Sequence, residues 1–246
     1  MNGIEFVLVS MPWWLFIAII FALSWYFKNV LTGITFAIFI FLIGSFGLWD
    51  DMMTTIAIIV TAVAISLLIG IPIGIWMAFS TIVSKIIQPI LDAMQTMPSF
   101  VYLIPGIFFF GLGNVSAVFA TLIYATPPVI RLTELAIREV DEEVIESALS
   151  FGSSKGQILR KVQLPQALPT IMAGVNQTTM MALAMVVIAS MVGASGLGEQ
   201  VLISINRIDI ALGFEAGISI VFLAIIIDRI TSGVADRFQK HRRIEQ

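Results

Sequence analysis

Few residues in this chain are of a type and spacing that could do covalent or metal chemistry. There is no cysteine and a single histidine, His241, set in the basic run Lys240-His241-Arg242-Arg243. One imidazole among cations makes no metal site, which needs several ligands at suitable spacing. No HExxH, GxSxG or intramembrane carboxylate pair is present, and Gly152-Ser153-Ser154-Lys155 lacks the form of a phosphate-cradling GxxxxGK[ST] loop. The informative polar residues lie together between Arg131 and Thr170: Asp141, Glu142, Glu143, Glu146, Gly152, Ser154 and Pro165. Their types suit capping, turning and docking rather than catalysis. The chain therefore shows no energy source of its own, and any uphill work must come from another subunit.

Asp141 is a good N-cap, and Glu142 and Glu143 follow in the first turn, where negative charge complements the helix dipole. Val144, Ala148 and Phe151 recur on one face, and Gly152 suits the C′ position that ends such a helix. Ser154 and Gln157 have capping-box spacing, which predicts a second helix limited by Pro165. The expectation is a helix–turn–helix pair with a small-residue elbow.

The elements that must carry this loop are set by composition. Of 246 residues, 59% are hydrophobic and 12% charged, about half the charged share of a soluble domain. A soluble fold is excluded. The apolar stretches are continuous rather than alternating, so they read as helices and not barrel strands. The fold class is thus all-α, a polytopic transmembrane bundle. A net charge of −3 without a long basic tract leaves nothing for nucleic acid to bind.

Hydropathy predicts seven spans: Trp13–Phe27, Val30–Leu48, Thr54–Phe79, Phe100–Leu112 (broken by Pro105), Ala117–Ile130, Ile171–Val192 and Gly217–Ile230. The first has no basic n-region or cleavage site before it and reads as a retained helix. With Arg131–Thr170 cytoplasmic, every Lys and Arg except Arg207 falls on the inner side, as the positive-inside rule favours. The N-terminus and a Trp49-Asp50-Asp51 turn then lie outside. The expected organisation is accessory helices over 1–52, a core over 53–235 containing the loop 131–170, and a basic tail over 236–246. Span centres hold no ionisable residue; Asp228 and Arg229 sit at one end of the last span and Glu215 at the other.

Glu146-Ser147-Ala148, three residues, Gly152, nine residues, then Val162-Gln163-Leu164-Pro165 resembles the EAA loop of binding-protein-dependent ABC importer permeases. Ser147 replaces the family's first alanine and Val162 its isoleucine. The stretches Leu91–Pro98, Tyr102–Pro105, Pro127–Thr133, Ile171–Thr178 and Gly193–Gly198 look like the glycine betaine/proline branch of that family. The resemblance implies the type I permease fold and a loop that docks into a groove on a cytoplasmic ATPase dimer. It further implies a second permease copy, as a homodimer, and a separate external solute-binding protein. No cofactor is expected on this chain; ATP and Mg would sit in the ATPase. The expected location is the plasma (inner) membrane of a bacterium or archaeon.

For a quaternary ammonium solute, aromatic faces and adaptable methionines could line a path without fixed charge. Phe100, Tyr102, Asn176, Gln177, Thr179 and Met180 are the candidates, with Gly193, Gly196 and Gly198 as a flexible outer gate. Gly70 and Gly74, flanking Pro72, suit close helix packing. The other reading is a self-sufficient channel or secondary carrier, which would need gating or ion-coupling groups inside the spans; an intramembrane enzyme would need the catalytic motifs absent above.

Overall fold

A computed structural model describes the backbone of residues 2–244 and the side chains of residues 3–234. The basic tail, with Arg237, Lys240, His241, Arg242 and Arg243, lies outside the described side chains. The chain forms α1 (Asn2–Val9), α2 (Trp13–Phe27), α3 (Val30–Ser45), α4 (Trp49–Phe79), α5 (Thr81–Thr96), a 3-10 turn (Ser99–Tyr102) and α6 (Leu103–Phe110). There follow α7 (Asn114–Arg138), α8 (Glu142–Ser150), α9 (Lys155–Ile158), a π-helical turn (Leu159–Gln163), α10 (Leu164–Ser190), α11 (Leu197–Arg207) and α12 (Ile210–Ile244).

Among the described residues, four stretches are long and apolar enough to cross a membrane: Trp49–Phe79, Asn114–Arg138, Lys155–Ser190 and Ile210–Val234. The pairs α1–α2 and α5–α6 pass the same test as units bent by 101° and 111°, and α3 is a shorter apolar helix. Each of the seven apolar segments overlaps a helix, but the count of seven spans is not reproduced: Phe100–Leu112 passes only when joined to α5, and Val30–Leu48 is helical only to Ser45. Several boundaries differ from expectation. Trp49-Asp50-Asp51 is no turn but the opening of α4, where the two carboxylates complement the helix dipole. The break before α6 falls at Met97-Pro98, because the proline forces its predecessor extended (Met97 ψ 137°). Pro105 instead sits in the first turn of α6, where its missing N–H has no helical partner to lose.

The core is a three-helix layer, with α7 packed between α4 and α10. Glycines let these backbones approach. A Cβ on Gly74 would lie 2.6 Å from the Ile130 carbonyl oxygen, and one on Gly70 2.5 Å from Val129 Cγ1. Gly174 of α10 has the Val129 Cα at 3.3 Å from where its Cβ would be. Helix α7 runs unbroken through Pro127-Pro128, both buried, so that Arg131–Arg138 extend the span rather than open the loop. Thr126 Oγ1 donates to the Leu122 carbonyl and meets Ser66 Oγ of α4 at 3.1 Å, a polar tie at the level of the proline pair.

Helices α2 and α3 form a tight hairpin. Its Lys28-Asn29 connection is held by Asn29 Oδ1, which accepts from the Thr32 amide at 2.8 Å. Phe39 of α3 stacks on Phe222 of α12 with ring centroids 4.2 Å apart, which fixes this hairpin against the last span.

Candidate functional site

The connection between α7 and α9 covers residues 139–154, well under half the length of the expected loop 131–170. Its first part is α8. Asp141 accepts from the Glu143 amide at 2.9 Å and starts the helix as predicted. The other end closes as a Schellman motif: the Gly152 amide donates to the Leu149 carbonyl at 2.8 Å and the Ser153 amide to Ala148 at 3.1 Å. Gly152 takes φ +78°, a left-handed conformation that side chains with a Cβ resist.

No residue of α8 is buried. Phe151 is 90% exposed and Leu149 51% exposed. Of the apolar face read from Val144, Ala148 and Phe151, Phe151 is turned outward, Val144 is 37% exposed and Ala148 is half-buried. This helix of about two and a half turns touches its own chain mainly at α9 and the π-helical turn, and exposes Leu149 and Phe151 to the outside. Around it, Glu146 and Ser147 are exposed and Ala148 half-buried.

Ser154 and Gln157 form the capping box in full, each side chain satisfying the other's backbone amide. Pro165 does not limit the helix that follows. The preceding turn is π-helical, with the Leu164 amide reaching the Leu159 carbonyl. That wider turn takes up the misfit of a proline lacking an amide, and the helix continues to Ser190. Val162 and Leu164 are half-buried at this joint while Pro165 is exposed. Sequence reasoning missed the π turn because it is set by the fit of α9 to α10, not by a residue signature.

The candidate path residues are scattered. Phe100 is 59% exposed, whereas Tyr102 is 3% exposed, its hydroxyl donating to the Met94 carbonyl and its ring edge-on to Tyr124 at 5.7 Å. The two aromatics therefore share no cage. Thr179 is buried and donates to the Val175 carbonyl at 2.8 Å; Met180 is half-buried. Asn176 Nδ2 donates to Asp228 Oδ1 of α12 at 2.9 Å. Gln177 is exposed, and it belongs to a stripe on α10 made of Gln166, Ala173, Gln177 and Ala184, all exposed and spaced four or seven residues apart. Small and polar side chains on one helical face at membrane depth call for a protein or aqueous neighbour, since an amide facing lipid loses its hydrogen bonds.

The 193–198 turn is tied by hydrogen bonds to α4 and to the start of α7. The Leu197 amide donates to Thr55 Oγ1 at 2.9 Å, the Ser195 amide to Asn114 Oδ1 at 2.8 Å, and Gln200 Nε2 to Asp51 Oδ2 at 3.0 Å. The Gly113 amide reaches Val192 at 2.9 Å. Gly196, at φ +112°, has Thr55 Oγ1 where a Cβ would be, and Gly198 has the Val186 carbonyl. Gly193, at φ +79°, lies over Leu112 and Gly113. Thr55→Val keeps the shape but leaves the buried Leu197 amide without an acceptor, costing ~1–3 kcal/mol. A fall of a few degrees in the unfolding midpoint is the expected result, read in detergent by scanning fluorimetry; an unchanged midpoint contradicts it.

Sequence reasoning also missed a polar network at the opposite end. Glu134, 5% exposed, accepts from Ser84 Oγ of α5 at 2.7 Å and pairs with Arg138 at 2.9 Å; Arg138 also donates to the Met77 carbonyl at 2.9 Å. Beside it Arg131 pairs with Asp92 of α5. The i, i+4 spacing of Glu134 and Arg138 was a usable signal once α7 is carried past its prolines.

Comparison with known proteins agrees with this architecture. Residues 70–244 match the family model described as binding-protein-dependent transport system inner membrane component. The chain is 49% identical over 234 residues to the glycine betaine/proline betaine transport system permease protein ProW of Escherichia coli (strain K12), covering 95% of this chain and 66% of that one. It is 48% identical over 237 residues to the glycine betaine/carnitine transport permease protein GbuB of Listeria monocytogenes serotype 1/2a (strain 10403S), covering 94% and 83%. The chain thus spans about two thirds of the length of the Escherichia coli relative and 61% of a similar Salmonella typhimurium permease. A solved chain of the MetNI methionine ABC transporter in inward-facing conformations superposes with a TM-score of 0.70 at 21% identity, over 75% of this chain and 93% of that one. That likeness identifies the fold as the type I ABC importer permease fold.

Proposed function

We propose that this chain, which belongs to the family of binding-protein-dependent transport system inner membrane components, is the permease subunit of an ATP-driven importer for glycine betaine or a related quaternary ammonium solute. It is a multi-pass membrane protein, and the inner membrane of a bacterium or archaeon is its proposed site. In this reading the α8 end of the bundle is cytoplasmic, where nearly all the Lys and Arg residues then fall.

The observation that carries the proposal is α8, an acidic helix capped at both ends, with no buried residue and with Leu149 and Phe151 exposed at its C-terminal end. A cytoplasmic ATPase dimer is the partner we assign to it, with ATP and Mg bound there. Glu146, Ser147, Ala148 and Gly152 would meet the ATPase, while Val162, Leu164 and Pro165 shape the joint through which α8 moves α10. Closure of the ATPases would draw two such elements together and turn the path outward; hydrolysis would reset it. The stripe through Gln177 supports a second copy of this chain across the path. A separate solute-binding protein would deliver the cargo at the Gly193–Gly198 end.

Proteoliposomes holding this permease, its ATPase and its binding protein should accumulate radiolabelled glycine betaine only when ATP and binding protein are both present. Flux through the permease alone would instead support a self-sufficient channel or carrier.

A further inference from the structure

Between α5 and α7 lies a cleft of about 520 Å³ whose polar lining is Gln88, Asp92, Arg131, Glu134 and Arg138. Its charges are of both signs and balance. Arg131 pairs with Asp92, at side-chain exposures of 36% and 64%, while Glu134 is 7% exposed and tied to Arg138 and Ser84. The two arginines are similarly exposed and the carboxylates differ: Glu134 is buried and braced, whereas Asp92 is open to solvent. Asp92 meets Arg131 through one terminal nitrogen of the guanidinium, while Nε is buried and has no acceptor among the described residues.

Helix α5 shows which way the cleft faces. Ile82, Ile86 and Ile90, exposed by 71%, 61% and 54%, repeat every four residues along one side. Gln88 and Asp92 repeat along another, and Ser84 and Leu91 form the buried side against the core. The isoleucine side suits acyl chains; the cleft opens on the polar side, away from it. A water-filled vestibule is the surrounding that such a side fits.

We propose that this cleft is a low-affinity binding site for the transported zwitterion on the cytoplasmic side of the path. The inference rests on the importer reading above. A carboxylate can replace Asp92 on Arg131 in a two-bond, charge-assisted contact, with the Gln88 amide as a further donor. The Asp92 carboxylate so released then faces the ligand's quaternary ammonium, which carries charge but no N–H and asks for proximity rather than a directed bond. The exchange leaves no charge unpaired. A simple anion would strand Asp92, and a simple cation would strand Arg131, so the internal pair itself selects for a molecule bearing both charges. Glu134 and Arg138 stay joined and hold the wall of the cleft in place.

The test uses the permease–ATPase complex without its binding protein, in nanodiscs of phosphatidylcholine or of phosphatidylethanolamine. Saturable binding of radiolabelled glycine betaine is expected in both, competed by unlabelled betaine and not by equimolar acetate or tetramethylammonium. Arg131→Gln should weaken it about tenfold, the loss expected of a charge-assisted contact. Should that variant fail to assemble, Gln88→Leu, which removes no charge, should still weaken binding measurably. No saturable binding to the wild type, or binding that both variants leave unchanged, overturns the proposal. Binding seen in phosphatidylcholine and lost in phosphatidylethanolamine also overturns it, and assigns the cleft to a lipid headgroup. Uptake by the complete system is measured in parallel. If uptake stands and the binding is absent, the cleft inference alone is lost; if uptake is absent, the importer reading itself fails.

Discussion

Gly152→Val is expected to cut ATP-driven uptake about tenfold or more while leaving the permease inserted and folded. The residue lies at φ +78°, where a β-branched side chain is strained by roughly 1–2 kcal/mol or more. Two amide bonds that end α8, from Gly152 and Ser153, depend on that conformation. No atom of this chain lies within 4 Å of where the Cβ would be, so the body of the protein is untouched. The loss would fall on the shape and the docking face of α8. Gly152→Asn separates the two causes, because asparagine tolerates the left-handed region. Restored uptake in Gly152→Asn assigns the defect to the backbone turn; continued loss assigns it to a partner surface that admits no side chain. Normal uptake in Gly152→Val would remove α8 from the coupling role altogether. Uptake by the reconstituted complex, with co-purification of the ATPase, is the measurement.

The largest expected effect on stability is at Gly74. Its Cβ would sit 2.6 Å from both the Ile130 carbonyl oxygen and Thr133 Cβ, so even alanine forces α4 off α7. Overpacking of this kind costs ~1–3 kcal/mol and more where the obstacle is backbone. Gly74→Ala should lower the unfolding midpoint by about 5–10 °C and reduce yield of the assembled complex. Gly47→Ala, at a turn glycine with nothing within 4 Å of the added methyl, controls for strain without collision. Equal midpoints for Gly74→Ala and the wild type would mean that the helices are not as close as described.

Much of the architecture was legible because it is written locally. Hydropathy runs, the Asp141 cap, the Ser154–Gln157 capping box and the Gly152 stop each depend on residues within a turn or two of one another. Prolines misled where they were read as stops. Pro105 lies in a first turn, Pro165 follows a π turn, and Pro127-Pro128 are carried through by packing and by a threonine that bonds backward. Whether a proline ends a helix depends on what surrounds it, and sequence spacing does not contain that.

The sequence by itself determined that the chain lies in a membrane, which segments are apolar helices, and that one polar loop carries a spaced motif with its own helix caps. Transfer free energy and capping act within a segment, so they can be read from it. Only the tertiary structure decided that Glu134 meets Ser84, 50 residues away, that Asn176 meets Asp228 at a separation of 52, and that Leu197 meets Thr55 at 142. The same packing tied the Gly193–Gly198 stretch to Thr55 and Asn114 and left a charge-balanced cleft beside α5. Such pairings follow from which helix faces touch, and glycine-permitted distances of a few tenths of an ångström decide that.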